Sequence, residues 1–123
     1  MGARINYVFQ DGSDEAVVLY SHWGAEVWEW DLGAALNHAQ RRFGDTSYAV
    51  RMVISHLIKD QLMDDAGFGI FALNVKTDLH MLDGEIVFVD FEKRIVQANW
   101  DGDEETEFAD FLANWNWNGD SNE

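Results

Sequence analysis

Two hydrophobic rhythms alternate along the chain, one of period two and one near 3.6, and the points where they change divide it into elements. Residues 4–9, RINYVF, predict a short strand. Gln10, Asp11, Gly12, Ser13 and Asp14 make a polar turn, and residues 16–21, AVVLYS, a second strand. Two β-rich runs joined by a loop containing Gly and Asp predict a hairpin. Across residues 28–43 the period lengthens. Leu32, Leu36, Ala39 and Phe43 recur on one face, with Trp28 and Ala35 at its edge, as an amphipathic helix requires. Gly44 is the expected C-terminal stop, just after Arg41 and Arg42. Asp45 or Thr46 can cap a second helix over residues 47–62, whose stripe is Val50, Ile54 or Val53, Leu57 and Ile58. The linker between the helices is too short to cross a sheet, so they are expected side by side on one face.

Gly67 and Gly69 break the helical rhythm before a third strand at residues 69–75, GIFALNV. Asp83 and Gly84 begin a turn into residues 85–91, EIVFVDF, which is apolar on both faces for most of its length. That pattern predicts a central strand. After a tight turn at Glu92 and Lys93, residues 94–98, RIVQA, return as another strand. Phe108, Phe111, Leu112 and Trp115 then mark a helix over residues 105–115. The order β-β-α-α-β-β-β-α, with short connections, predicts an α+β two-layer domain: a mainly antiparallel sheet of about five strands packed against helices. Residues 1–115 read as a single domain and residues 116–123 as an acidic polar tail.

Composition sharpens this picture. At 123 residues the chain fits one domain, and 47% hydrophobic residues, with six Trp and eight Phe, exclude an acidic disordered segment. The absence of Cys removes disulfide and thiolate chemistry. Neither a signal peptide nor an apolar run near the roughly 20 residues of a membrane span is visible. A soluble intracellular protein is therefore expected. The net charge of −15, from 23 acidic and 8 basic residues, repels nucleic acid and anionic membranes and attracts basic partners. Asp outnumbers Glu 14 to 9, a balance that also fits adaptation to high salt, although the many large aromatics fit that account less well.

Candidate chemistry centres first on Tyr20, Ser21 and His22, where a strand ends before Gly24. Adjacent strand side chains point to opposite faces, so Ser21 and His22 make a poor nucleophile and base unless the chain bends. No G-x-S-x-G elbow is present. His22, His38, His56 and His80 lack the close spacing of zinc ligands. Asp101, Asp103 and Glu105 start like a calcium loop, but Thr106 stands where Gly is needed and Leu112 where a bidentate Glu is needed. No catalytic residue, metal or cofactor is expected.

Charge and aromatics point instead to binding. Six of the ten residues 101–110 are acidic: Asp101, Asp103, Glu104, Glu105, Glu107 and Asp110. Asp11, Asp14, Glu15, Glu26, Glu29 and Asp31 form a second acidic group around the opening segment. Trp23, Trp28 and Trp30 precede the first long helix, while Trp100, Trp115 and Trp117 lie near the end. Trp28 and Trp30 are two apart and cannot share one helical face, so exposed Trp beside charge is expected, a combination common at binding hot spots. Trp23, Glu26, Trp28, Glu29, Trp30 and the six acids of residues 101–110 make the expected binding surface. The expected partner is a basic protein, including one that handles nucleic acid, since carboxylates can mimic phosphates; a homodimer is the other expected contact. No direct nucleic acid or membrane partner is expected.

Taken together, MGARINYVF, VVLYSHWG, RMVISHLIKDQ, GFGIFAL and VFVDFEKRIV resemble small acidic proteins encoded by bacteriophages and prophage-bearing bacteria. The resemblance spans most of the chain, to about Phe111, and residues 114–118 have no counterpart in it. It implies a phage setting and carries no activity, cofactor or catalytic residue onto positions here. The expected function is a non-enzymatic accessory that binds a host or phage protein in the host cytoplasm. The alternatives are a virion or assembly protein that forms a homo-oligomer, and a small hydrolase or metal-binding protein centred on His22.

Overall fold

The computed structural model describes residues 4–22, 24–99 and 104–121, with side chains described as far as Trp115. The strands are β1 (Ile5–Gln10), β2 (Glu15–Ser21), β3 (Phe68–Asn74), β4 (Glu85–Asp90), β5 (Ile95–Ala98) and β6 (Glu105–Glu107). The helices are α1 (Trp28–Ala39), α2 (Thr46–Leu57) and α3 (Phe108–Ser121). The architecture is α+β: an open six-stranded mixed sheet in the order β3-β2-β1-β4-β5-β6, with the helices on one face. Every strand pairing is antiparallel except that of β1 with β4.

The expected count of about five strands therefore becomes six. The additional strand, β6, is Glu-Thr-Glu, residues expected to open the last helix. Pairing with β5 from Ile95 to Gln97 holds these residues extended, and the helix starts only at Phe108. It then runs through Ser121, across most of the stretch expected as a tail. The first long helix also ends earlier than expected, at Ala39, through a 3-10 turn over Gln40–Arg42. Gly44 is not left-handed and does not act as its cap. Asp45 does occupy the position before α2, but its carboxylate accepts a bond from the Ser47 hydroxyl (3.2 Å) rather than capping a helix amide. α2 is likewise shorter than expected and closes in a 3-10 turn over Lys59–Gln61.

The period-two pattern explains the core. Ile5, Tyr7 and Phe9 of β1, Leu19 of β2, Val87 and Val89 of β4 and Val96 of β5 all face the helices. Leu32, Ala35, Leu36 and Ala39 of α1 and Ala49, Val53 and Ile54 of α2 close over them. Phe43, Phe91 and Phe108 fill one end, with ring centroids 5.1–6.0 Å apart, in the tilted and edge-on packing that aromatic pairs favour.

The opposite face carries a smaller core of Val8, Ala16, Val18 and Leu73. β3 and β4 run parallel but are separated by β2 and β1, so their connection, residues 75–84, must cross the sheet. As it crosses it lays Val75, Leu79 and Leu82 on that second core. Among the described residues, no helix is long and apolar enough to cross a membrane.

α3 docks on α1 through Trp115 and Gly33. A Cβ built on Gly33 would lie 2.5 Å from the Trp115 ring and 2.8 Å from its Cβ. In an exposed helix, Gly to Ala stabilises by about 0.5–1 kcal/mol; here the close approach should reverse that sign. We expect Gly33→Ala to lower the melting temperature in the wild-type background and to raise it in a Trp115→Gly background, where neither ring nor Cβ opposes the new methyl group, as measured by thermal unfolding of the four proteins of the cycle.

Candidate functional site

β2 ends at Ser21, and the chain reverses at Gly24, whose φ of 105° is open to glycine at no steric cost. A 3-10 turn over Ala25–Val27 follows, closed by the Val27 amide donating to the Gly24 carbonyl (3.1 Å), and it leads directly into α1. This tight lead-in places Glu26, Trp28, Glu29 and Trp30 at one rim of a cleft. The other wall is β5, β6 and α3, through Val96, Ala98, Thr106, Phe111, Asn114 and Trp115. The cleft has a volume of about 700 Å³.

Trp28 is 8% exposed and stacks on Phe111, with centroids 5.9 Å apart and planes 22° apart. Trp30 is 42% exposed and leans on Trp115 at 6.0 Å. The Trp115 indole nitrogen is buried and has no hydrogen-bond partner among the described residues. Glu26, Glu29 and Glu104, all exposed, line the same cleft. Aromatic faces and carboxylates both attract cations, and this combination suits a Lys or Arg side chain. Anions are repelled by the same groups.

Glu26, Trp28, Glu29, Trp30 and Glu104 of the expected binding surface thus converge. Glu105 and Glu107 do not join them. They flank Thr106, which pairs with the inward-facing Val96, so their side chains leave β6 on the opposite face of the sheet. Asp110 is exposed on α3 and does not line the cleft. Trp23, Asp101 and Asp103 lie outside the described residues. Val96, Ala98, Thr106, Phe111 and Trp115 lie outside the surface expected from the sequence, because they approach α1 only through tertiary packing.

Matching the chain against protein-family models, curated proteins and solved structures finds no similar protein.

Tyr20, Ser21 and His22 divide as the period-two rule requires. Ser21 pairs with Ile5 on the helix-covered face and is buried. Tyr20 pairs with Asn6 on the other face, where its hydroxyl lies 3.5 Å from Nδ1 of the exposed His22. Ser21 instead lines a smaller cavity of about 230 Å³ together with Tyr7, Trp30, Asp31, His56, Lys59 and Asp60. Burial, followed by the Asp31 charge, holds the Tyr7 hydroxyl well above the usual phenol range. Burial also raises the Asp31 carboxyl, against the opposing pull of Lys59. His56 is lowered, first by burial and then by the positive charges of Lys59 and His38, with Asp60 opposing. Its ring lies 5.4 Å from that of His38, so the two histidines on α1 and α2 meet. Among the described residues, no three His, Cys, Asp or Glu are grouped to hold a metal ion.

These shifts have opposite consequences for stability. Asp31 binds its proton more tightly folded than unfolded, so its contribution is greatest below about pH 3.9, the usual unfolded value, and is lost as pH rises through the folded value. His56 contributes above about pH 6.5 and that contribution is lost as pH falls through its lowered folded value. Asp31→Asn should accordingly raise the melting temperature by a few degrees at pH 7 and change it little below pH 4. His56→Gln should flatten the loss of stability on acidification from pH 7 towards pH 5. Thermal unfolding of both variants across pH checks the two signs.

Proposed function

We propose that the protein is a non-enzymatic binding module that captures a basic protein by seating a Lys or Arg side chain in the cleft between α1, α3 and the β5–β6 edge. The supporting observation is the convergence of Trp28, Trp30, Phe111 and Trp115 with Glu26, Glu29 and Glu104 around one concavity. Aromatic walls add an attraction of about 0.5–2 kcal/mol per cation, depending on desolvation, to that of the carboxylates. The excess of negative charge over the whole chain steers basic partners towards it.

In the phage setting that the sequence resemblance implies, the protein works in the host cytoplasm as an accessory that occupies a host or phage protein, most simply one whose basic surface handles nucleic acid. The described acids do not form one continuous phosphate-like track, because Glu105 and Glu107 leave the sheet on the face opposite Thr106. Side-chain capture in the cleft is therefore favoured over mimicry of a nucleic-acid backbone.

Titration with Arg-rich and Lys-rich peptides, followed by calorimetry and tryptophan fluorescence, tests this reading. Binding should perturb the fluorescence and weaken between 0.1 M and 0.5 M salt. It should fall about tenfold or more in Trp30→Ala and in Glu26→Gln/Glu29→Gln, and change little in Glu105→Gln/Glu107→Gln. Failure of both peptides to bind, or equal losses from the two pairs of Glu changes, would sink the proposal.

A further inference from the structure

The two edges of the sheet are built differently. β6 is a three-residue edge with a Glu on either side of Thr106, the short, charged kind that discourages another strand from pairing. β3 is seven residues long, FGIFALN, and carries no charge in a chain of net charge −15. Ile70 is 57% exposed and Phe71 42%, and Ala72 beside them is exposed too. No described strand pairs with its outer edge.

The direction of the free backbone groups follows from the ends of the β2–β3 ladder. The His22 amide donates to the Gly67 carbonyl (3.0 Å), and the Val75 amide donates to the Asp14 carbonyl (2.8 Å). Both positions on the β3 side are odd-numbered. In an antiparallel pair, alternate residues turn their amide and carbonyl to the same neighbour. Ile70 and Ala72 therefore direct theirs to the open edge.

We propose that a second copy of this chain pairs β3 with β3, antiparallel, about a two-fold axis at Phe71. Ile70 then lies opposite Ala72 of the second copy, and each of these two pairs exchanges both of its backbone hydrogen bonds. The two Phe71 rings meet in the closer, non-hydrogen-bonded position, on the face that also bears Val18. On the helix face, large Ile70 sits against small Ala72. Together they extend the apolar floor of a groove of about 500 Å³ that runs between α2 and β2–β3 and includes Phe9, Val17, Val50 and Ile54.

Charge selects a second copy as the occupant. Two chains of −15 repel over most of their surfaces, but the two-fold axis lays one uncharged strand on another and opposes no carboxylate within it. A basic partner finds no charge on β3 to engage. The groove itself is lined by both signs, Asp11 and Glu15 with Arg51, which a two-fold copy can complement. The pairing joins the two sheets and leaves the Trp-lined clefts open at the far edges, so it stands independently of what those clefts bind.

The test is sedimentation equilibrium of the full chain at several salt concentrations, joined to amide hydrogen exchange. The expected mass is twice the 14.1 kDa of the monomer at about 0.1 mM protein, with the dimer tightening as salt screens the repulsion. Cleft binding has the opposite salt dependence, so the two proposals fail separately. Ala72→Pro deletes an amide directed at the open edge and not at β2, so the monomer should tolerate it; Phe71→Glu places like charges on the axis. Each should weaken the dimer at least tenfold while retaining the folded circular dichroism spectrum, and Phe71→Glu should speed exchange of the Ile70 and Ala72 amides. If Ala72→Pro does not fold, Phe71→Glu and the milder Phe71→Ser carry the test. A wild-type monomer at 0.1 mM, or a dimer unchanged by the folded variants, overturns the proposal.

Discussion

The parallel pairing of β1 with β4 is the contact on which the rest of the structure depends. It runs in continuous register from Ile5 opposite Glu85 to Gln10 opposite Asp90, and it joins the N-terminal hairpin to the C-terminal strands. Its first residues are fastened by a side chain. Asn6, 1% exposed, donates through Nδ2 to the carbonyls of Asp83 (2.8 Å) and Glu85 (3.3 Å). A buried donor deprived of its acceptors costs about 1–3 kcal/mol, so this one amide contributes to register as well as stability. Gly84 beside it has a φ of +97° and no room for a Cβ, which would meet Arg4 at 2.9 Å. The visible ion pair there, Arg4 with Asp83 at 2.8 Å, is solvent-exposed on both sides and contributes much less than the buried amide.

From that central pair outward, charge is sorted by position. β1 and β4 are covered on both sides, and their inward residues are almost entirely apolar. Carboxylates collect on helix surfaces, turns and β6. Some are used structurally: Asp90 accepts from the amides of Glu92 (2.9 Å) and Lys93 (3.0 Å), holding the turn that brings β5 back beside β4. Others, Glu26 and Glu29 at the lead-in to α1 and Glu104 beside β6, line the same cleft as the aromatic rings.

The elements with strong periodicity were legible in the sequence. The first hairpin, the α1 and α2 stripes and the doubly apolar β4 all follow from local alternation. β6 was not, because two of its three residues are Glu and its extended form comes only from pairing with β5. The parallel β1–β4 pair depends on residues far apart in sequence, and no local pattern encodes it. The site divides in the same way. Glu26, Trp28, Glu29 and Trp30 lie together in sequence and were singled out, whereas Phe111 and Trp115 join them across space. The opposed directions of Ser21 and His22 follow from strand alternation alone. The cavity that gathers Tyr7, Asp31, His56 and Lys59 draws on separate elements and leaves no spacing signature.

The same central pairing has a consequence for how the chain reaches its fold. Ile5 and Glu85 are joined directly, yet the whole of β2, α1, α2 and β3 lies between them in sequence. Contacts of such long sequence separation slow folding, because the intervening loop must be closed before the contact is gained. During synthesis β1 can pair with β2 at once, but its other edge waits until β4 has emerged. The crossing segment, residues 75–84, is made just before β4, so the second core and the central pair can close together. Until then the most buried strand of the finished protein has one edge open, and that interval is when the chain is most vulnerable to pairing with the wrong strand.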